Sequence, residues 1–534
     1  MSSENRDGAF SAGIKLKWAS KVMPFVPYLV TFITMWLVYL YLFSKGLKDD
    51  EPAICLCMRT ILLILILYGA YQSYVEKLTM EQLIMLCILG GLVMRMGYTF
   101  YTPFYMRPHD FGATSLDDTG HGAYIFSLYE YGELPDSYVG QFYHPPLFHF
   151  LASVFMRFFE KLHPDADLNA VYGASQLVSC FASCSVLFLV RSLCRELKCK
   201  QEMTCIVMLI VAFCPNFYLL AGRVNNDSMA VALIVFSFLM LVKWYHSRKF
   251  SHLIAMAVGI GLGMMTKLNA AIVAFVAGPV MLYVLWQAFR EKKWKGLLGQ
   301  YCAFIAVCAP LGLWYSVRNY TKFKMPFGYV LNLEADGIID WLYRGDLPFS
   351  KRFLSFPWDE FTSSLYCDTT KDYNLPMNIV RTSLFGEFGF SEMDGIAWRL
   401  TYINLLLIVL SVVAMIAVVW KGKKLDPMLR YGCAMLWFAI MVSYVVFNIK
   451  YPDSCTMDFR YIVPTVVCGA IYLGAFWQMS QEYLEKRDDT KKNPDDVKKR
   501  GGVKYYAANV MHWIIPIFCS LYALLSAYMY SGLS

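Results

Sequence analysis

The stretch PFVPYLVTFITMWLVYLYLFS, residues Pro24–Ser44, contains no charged residue and is long enough to cross a bilayer as a single helix. Apolar runs of similar length recur as far as Tyr530, with short polar segments between them. The whole chain is 57% hydrophobic and 16% charged, against roughly a quarter of charged residues in ordinary soluble domains. Because backbone groups in lipid must bond within their own segment, these runs predict an all-α polytopic membrane protein with about 13 transmembrane helices.

The distribution of basic residues predicts how the chain is oriented. The formal charge of +8 does not indicate a nucleic-acid partner, because Lys and Arg cluster between the apolar runs, where they act as topology signals. Placing these clusters in the cytoplasm predicts a cytoplasmic tail at residues 1–22, a transmembrane module at 23–480, a cytoplasmic loop at 481–505 and a last transmembrane helix at 506–534. The surrounding lipid is therefore an expected partner.

Two long segments, 101–168 and 319–399, are then predicted to lie outside, provided that residues 144–162 do not cross the membrane. This segment opens with two prolines, which are tolerated at a helix start. Its polar residues form one stripe on an apolar helix: His149, Ser153, Arg157 and Glu160. Such a helix suits the membrane interface. The alternative is an ordinary span whose stripe faces other helices.

The first outer segment contains the densest group of ionisable side chains. Its carboxylates are candidates for a proton-accepting role, and its histidines and tyrosine are candidates for substrate contact: Asp110, Asp117, Asp118, His121, Tyr124 and His144. A single carboxylate there would simply solvate the loop, but carboxylates grouped with histidines beside lipid favour an active site. No metal site is predicted, since Cys55 and Cys57 form an isolated pair without zinc spacing.

The order of motifs in this segment resembles glycosyltransferase family 39 of the GT-C membrane superfamily, which includes the protein O-mannosyltransferases and the lipid A aminoarabinose transferases. The motifs in the first loop are Asp117-Asp118-Thr119-Gly120-His121, Ala123-Tyr124-Ile125, Gly132-Glu133-Leu134-Pro135 and Tyr143-His144-Pro145-Pro146-Leu147. Later outer joints continue the resemblance with Arg223-Val224-Asn225-Asn226-Asp227, Thr266-Lys267-Leu268 and Arg460-Tyr461-Ile462-Val463-Pro464.

The resemblance implies a GT-C type helical bundle with interfacial helices in the first outer loop. It also implies transfer of a sugar from a polyprenyl-phosphate donor to a protein, lipid or glycan acceptor. The reaction would occur on the outer face of a bacterial plasma membrane or the lumenal face of the endoplasmic reticulum. A divalent cation is left open as a cofactor, because relatives differ and no ligand set is clear.

The roles implied for individual residues follow the needs of the reaction. The base is Asp110 or Asp117, with Asp118 in support. The donor phosphate needs cationic support, for which Arg223, Lys267 and Arg460 are candidates. Further substrate contacts are predicted at His121, Tyr124, His144, Asp227 and Tyr461.

Two rival hypotheses remain open at this stage. A transporter or flippase for an amphiphilic molecule also needs many helices, although transporters place polar groups near the bilayer midplane and often contain repeated halves. A catalytically inactive GT-C relative, acting as a scaffold, is the other. The glycine and aromatic turn Phe385–Phe390 either closes over a substrate or anchors the loop in the interface.

Overall fold

The computed structural model describes residues 23–108, 110–112, 118–331, 340–489 and 503–532. Within these ranges the chain is helical, and its one β-type pairing is an isolated bridge between Tyr343 and Asp453. The α-helices are α1 Val26–Ser44, α2 Glu51–Tyr74, α3 Met80–Tyr101, α4 His121–Phe126, α5 Leu147–Leu162, α6 Leu168–Glu196, α7 Gln201–Phe213, α8 Pro215–Gly222, α9 Asp227–Ser247, α10 Phe250–Thr266, α11 Ala274–Arg290, α12 Trp294–Phe323, α13 Trp358–Ser363, α14 Leu375–Phe385, α15 Asp394–Lys421, α16 Cys433–Lys450, α17 Pro464–Asp489 and α18 Val503–Tyr530. The predicted all-α fold is confirmed.

Short 3-10 and π-helical turns connect these helices. The 3-10 turns are Met23–Phe25, Gly140–Tyr143, Leu268–Val273, Asp340–Leu342, Ser391–Met393, Ser454–Met457 and Phe459–Ile462. The π-helical turns are Ser127–Tyr131, Ser350–Leu354 and Met428–Gly432. The chain divides at Lys48 into two compact units. The first contains α1, in which the rings of Trp36 and Tyr39 pack edge to face at 6.2 Å, and the second contains every other helix.

The described chain has ten helices long and apolar enough to cross a membrane, or eleven if the bent pair α7 and α8 forms one span. The protein is therefore a multi-pass membrane protein. The predicted number of about 13 is reached if the shorter apolar helix α10 and the helix α17 also cross. The exact number stays a prediction, as do the cytoplasmic positions of residues 1–22 and of the loop 481–505. Residues 1–22 and 490–502 lie outside the described residues.

The helices α6 and α9 lie at the centre of the second unit. The apolar stretch of α6 is 83% buried and that of α9 is 72% buried, whereas the value for α12 is 11%. An all-round apolar surface is what a helix needs when protein surrounds it on every side. The joint before α9 is therefore held by the most enclosed part of the molecule.

A break between α7 and α8 positions the start of that joint. Pro215 supplies no N–H group to the preceding turn, and the two helices meet at 45°. The carbonyl groups freed near the break accept hydrogen bonds from Arg95 of α3, with Nη2 at 2.8 Å from the oxygen of Val211 and Nη1 at 2.8 Å from that of Ala212. The elbow is thus a bonded element of the fold, and α8 ends at Gly222, directly before Arg223.

The helix α5 buries part of its polar stripe and exposes apolar residues. His149 and Ser153 are buried, and Arg157 donates hydrogen bonds to the carbonyl oxygens of Leu128 and Tyr129. The exposed side chains are spaced four apart: Phe150, Val154, Phe158 and Leu162. Such an apolar face suits contact with lipid. That α5 lies in the membrane interface stays a prediction.

Candidate active site

The first loop is tied to the start of α4 by backbone hydrogen bonds. The N–H of His121 donates to the oxygen of Asp110 at 2.8 Å, and the N–H of Gly122 donates to the oxygen of Phe111 at 2.7 Å. Gly120 makes this approach possible, because a Cβ atom there would lie 2.2 Å from the oxygen of Phe111. Asp110 adopts a φ of 51°, a left-handed conformation that Asp tolerates better than most residues.

A cavity of about 410 Å³ opens beside this loop. Its polar end brings together six of the residues predicted from the sequence, namely Asp110, His121, His144, Lys267, Arg460 and Tyr461. Its apolar wall comes from the helical region, with Ile234, Ile272, Ile440 and Phe447 among the lining side chains. A cavity of this kind, apolar with a few convergent polar groups, is typical of a ligand site.

Arg460 is the centre of the charged group at the polar end. Its Nη2 lies 3.9 Å from Oδ2 of Asp110, and its Nε lies 4.0 Å from Oδ2 of Asp227 and 3.9 Å from Oδ2 of Asp458. The side chain is 5% exposed, and its one hydrogen bond to another side chain runs from Nη2 to the hydroxyl of Tyr461 at 2.9 Å. Among the described residues, Nε and Nη1 have no hydrogen-bond partner.

Two further cations come from the joints on either side of α9 and α10. Lys267, in the joint after α10, forms an ion pair with Asp227, the first residue of α9. A carboxylate at a helix N-terminus is stabilised by the exposed backbone N–H groups there. Arg223 is 4% exposed, and its Nη1 lies 3.9 Å from Oδ2 of Asp458. The motifs predicted from separate joints therefore meet in one place.

The glycine and aromatic turn that follows α14 also reaches this group. The guanidinium of Arg223 lies 5.0 Å from the ring centre of Phe388. Gly386 has a φ of +59°, and a Cβ atom there would come within 2.8 Å of Nη2 of Arg223. Only glycine combines that backbone conformation with such a close approach. The turn thus packs against the charged group, and its closure over a substrate or its anchoring in the interface stays a prediction.

Three histidines stack at the polar end of the cavity, of which His121 and His144 line it and His149 does not. The rings of His121 and His144 are 5.6 Å apart and those of His121 and His149 are 5.1 Å apart, all nearly parallel. Nδ1 of His121 lies 2.8 Å from Nε2 of His149. Tyr124 closes the stack, 4.0 Å from His149, and its hydroxyl donates to that of Tyr315.

The remaining predicted residues that the structure describes do not line the cavity. Asp118 accepts a hydrogen bond from the N–H of Gly120 at 3.1 Å, so it shapes the loop. Tyr124 lies behind the histidines, whereas Arg223 and Asp227 contact the charged group without lining the cavity. Asp117 lies outside the described residues.

Burial changes the protonation of several groups in the site. It raises the pKa of Asp110, against the opposing effect of His121, although the side chain keeps 42% exposure toward the cavity that it lines. Burial also raises the pKa of Asp458 to about 7 and that of Glu387 to about 7, with Arg223 opposing both shifts. It lowers the pKa values of His121 and His144 well below the ordinary value, so both rings are neutral at pH 7.

Sequence reasoning missed three members of the site: Asp458, Glu387 and His149. Asp458 precedes Arg460 by two residues and accepts a hydrogen bond from its N–H at 3.1 Å, a capping contact that a sequence search could include. Among the described residues, no group of three or more His, Cys, Asp or Glu side chains is arranged to hold a metal ion. The fit of a divalent cation therefore has no support from the described part of the site.

Comparison with known protein families gives a match over the middle of the chain. The family model "Dolichyl-phosphate-mannose-protein mannosyltransferase" matches residues 143–323. That range includes Arg223 and Lys267 and excludes Asp110 and Arg460. The match confirms the resemblance to GT-C membrane glycosyltransferases that the loop motifs indicate. No curated protein matches the chain.

Two solved structures are similar in fold. One is ArnT from Cupriavidus metallidurans, bound to undecaprenyl phosphate, with 11% identity and a TM-score of 0.44, covering 86% of this chain and 76% of that one. The other is the oligosaccharyltransferase of Archaeoglobus fulgidus in complex with zinc and sulfate, with 12% identity and a TM-score of 0.40 over 84% of this chain. The match spans about half of that longer protein, 53% of its chain.

Proposed function

We propose that this protein transfers a sugar from a polyprenyl-phosphate-linked donor to an acceptor, with the cavity at the outer or lumenal ends of the helices as its active site. The general class, a membrane glycosyltransferase, has the support of the family match. The donor, the face of the membrane and the residue roles are the proposal. The acceptor is a protein, lipid or glycan that carries a nucleophilic group.

The observation that carries the proposal is that the guanidinium of Arg460 has hydrogen-bond donors without acceptors among the described residues. A buried guanidinium normally has partners for its N–H groups, because leaving them without one is costly. Within the described ranges, Nε and Nη1 of Arg460 have no hydrogen-bond partner, although the side chain lines the cavity and is 5% exposed. A phosphate oxygen in the cavity would supply the missing acceptor, and Arg binds phosphate in a bidentate manner.

Lys267 and Arg460 would then support the charge that the phosphate gains when the sugar leaves. Lys267 lines the same cavity and is held by Asp227, so its ammonium group is positioned before any donor arrives. Arg223 would act behind them through Asp458. The apolar wall at Ile234, Ile440 and Phe447 would receive the first isoprene units of the lipid.

Asp110 is the proposed base, since it is the first-loop carboxylate that lines the cavity among the described residues. It would accept the proton of the acceptor hydroxyl as that oxygen forms a bond to the sugar carbon. The bond from this carbon to the phosphate oxygen breaks, and its electron pair stays on the phosphate. Asp118 would support the reaction by shaping the loop through Gly120.

The test is donor consumption by purified protein incubated with a panel of polyprenyl-phosphate sugars. Replacing Asp110 with Asn keeps the size of the side chain but removes proton acceptance, so turnover should fall by roughly a hundredfold. The matched control is Asp136→Asn, in an exposed carboxylate that pairs with Lys322 away from the cavity. It should leave turnover unchanged.

Other outcomes would change the residue assigned as the base or the proposed activity itself. If Asp117→Asn abolished transfer and Asp110→Asn did not, the base would be Asp117. If the unmodified protein consumed no lipid-linked sugar, the glycosyltransferase proposal would fail. Transport of the intact lipid into vesicles would then favour the flippase hypothesis.

A further inference from the structure

His149 lies one layer below the cavity and does not line it, but it contacts a residue that does. Its ring is fully buried, and its Nε2 lies 2.8 Å from Nδ1 of His121. Two neutral imidazoles can share such a contact only if one nitrogen carries a proton and the other does not. The direction of this hydrogen bond therefore decides which nitrogen of His121 is protonated.

The surroundings of His149 favour one direction. Its other nitrogen, Nδ1, is buried and has no hydrogen-bond partner in the part of the chain that the structure describes, while the backbone carbonyl of Pro145, one turn earlier, opposes the fall of the pKa of the ring. A carbonyl oxygen can only accept, so it stabilises a proton on the nitrogen that is not engaged with His121. Nε2 of His149 is then left without a proton and accepts from Nδ1 of His121.

The ring of His149 is neutral throughout the physiological range. Burial lowers its pKa to about 3, and burial also lowers the pKa of His121, with His149 and His144 adding to the effect. Asp110 acts in the opposite direction on His121. Neither ring therefore takes up a second proton near pH 7, and the contact between Nδ1 of His121 and Nε2 of His149 contains a single proton.

We infer that His149 is a positioning residue that holds His121 in the Nδ1–H tautomer, so that His121 presents an unprotonated Nε2 to the cavity beside Asp110. The role of His149 in catalysis rests on the proposed function, whereas the tautomer of His121 is independent of it. In water the Nε2–H form of a histidine is the more populated, so His149 reverses the ordinary preference. His121 consequently accepts a hydrogen bond where it would otherwise donate one.

This assigns a chemical class to the group bound at that end of the cavity. Asp110 and Nε2 of His121 are both acceptors, so the group between them must carry a hydrogen-bond donor, such as a hydroxyl. Lys267 and Arg460, whose Nη2 lies 3.9 Å from Oδ2 of Asp110, present donors beside these acceptors and suit an anion. The polar end of the cavity thus has acceptors for a hydroxyl next to donors for a phosphate, as a displacement at the carbon between them requires.

The tautomer can be measured directly, without any substrate. The chain contains 8 histidines, and the protein with 15N-labelled histidine rings in lipid nanodiscs gives nitrogen signals that differ between protonated and unprotonated positions. The signal of His121 is assigned by its loss in His121→Gln. We expect an unprotonated Nε2 for His121 in the unmodified protein and a protonated Nε2 in His149→Phe, which keeps the ring stacked on Tyr124.

Kinetics test the consequence for the reaction. In His149→Phe the KM for the acceptor should rise or kcat should fall, by about tenfold in kcat/KM, while donor binding stays unchanged. His149→Gln, whose amide oxygen can accept from His121, should recover part of the loss. The control His163→Phe, at the end of α5 and outside the cavity, should behave as the unmodified protein.

The two measurements separate the possible failures. A protonated Nε2 on His121 in the unmodified protein would overturn the inference, whatever the activity. The inference would also fail if His149→Phe left the tautomer unchanged. If the tautomer shifts as expected but no sugar donor is consumed, the proposed function fails and the positioning role of His149 stands.

Discussion

Two buried arginines, Arg95 and Arg460, have opposite surroundings. Arg95 is fully buried among α3, α6 and the elbow between α7 and α8, and it donates hydrogen bonds to four neutral acceptors: Ser183 Oγ and the carbonyl oxygens of Gly91, Val211 and Ala212. Arg460 is nearly as buried, but its nitrogens lie 3.9–4.0 Å from the oxygens of three carboxylates, which is the outer limit of an ion pair. Among the described residues it has one side-chain partner within hydrogen-bond distance, the hydroxyl of Tyr461.

The difference separates a structural arginine from one prepared for a ligand. Each of the three guanidinium nitrogens of Arg95 has at least one acceptor, and the effect of the side chain is to hold a broken helix. The carboxylates around Arg460 neutralise its charge from 3.9–4.0 Å but do not bond its N–H groups. Its remaining donors face a cavity, which is how a protein keeps a charged site stable and still available.

The largest effect on stability is expected from Arg95→Met. The substitution leaves the carbonyl groups of Val211 and Ala212 without partners in an apolar region, and each such group costs about 1–3 kcal/mol. We expect a loss of about 3 kcal/mol or more, measured as a lower midpoint of thermal unfolding in detergent. Arg460→Met should change that midpoint much less, since Arg460 makes fewer bonds. Equal destabilisation by the two variants would remove the distinction.

The converse effect, on activity, is expected from Arg460→Gln. Removing the guanidinium takes a donor from the leaving phosphate, and losses of about a hundredfold in kcat are usual for such groups. The measurement is the rate of donor consumption at saturating donor. Arg430→Gln is the matched control, because Arg430 bonds the carbonyl of Val419 at the far end of the helices. Normal turnover in Arg460→Gln would refute the phosphate assignment.

The smallest expected effect is a change in donor affinity with pH. The pKa values of Asp458 and Glu387 are raised to about 7, so both carboxyl groups are mostly neutral below that pH and mostly charged above it. Ionisation adds negative charge beside Arg223 and Arg460, so the affinity for a phosphate should fall as the pH rises. Asp110, whose pKa is also raised, acts in the same direction.

Calorimetric titration with a polyprenyl phosphate should show a fall of up to about tenfold between about pH 6 and about pH 8. Asp458→Asn should flatten this dependence, because the group that titrates is gone while its shape remains. If Asp458→Asn kept the same dependence on pH as the unmodified protein, the titrating group would be the phosphate of the ligand or another residue, and not Asp458.

The helices were predictable because the bilayer imposes one rule on every segment, and long apolar runs such as Pro24–Ser44 follow it. The bonding of Arg95 at the elbow between α7 and α8 was not predictable. The acceptors of Arg95 there lie 116 and 117 residues later in the chain, and they are backbone atoms that no sequence pattern identifies. The position of Pro215 indicates a break, but the sequence does not specify which side chain satisfies it.

The site was predictable to the extent that short motifs fall at helix ends. Arg223, Lys267 and Arg460 each stand in a joint between helices, so charge counting and the family resemblance both selected them. His149 was interpreted as one residue of a polar stripe, because the spacing on α5 says nothing about the loop that packs over it. Its contact with His121 depends on tertiary packing alone.

The elbow also has a consequence for how the chain assembles in the membrane. A charged side chain near the middle of an isolated helix in lipid is unfavourable by about 2.5–3.5 kcal/mol. Within α3, Arg95 has the carbonyl of Gly91 alone as a bonding partner, and its other acceptors belong to α6 and α7. During synthesis, Arg95 therefore gains most of its bonding partners only after α6 and α7 have been made.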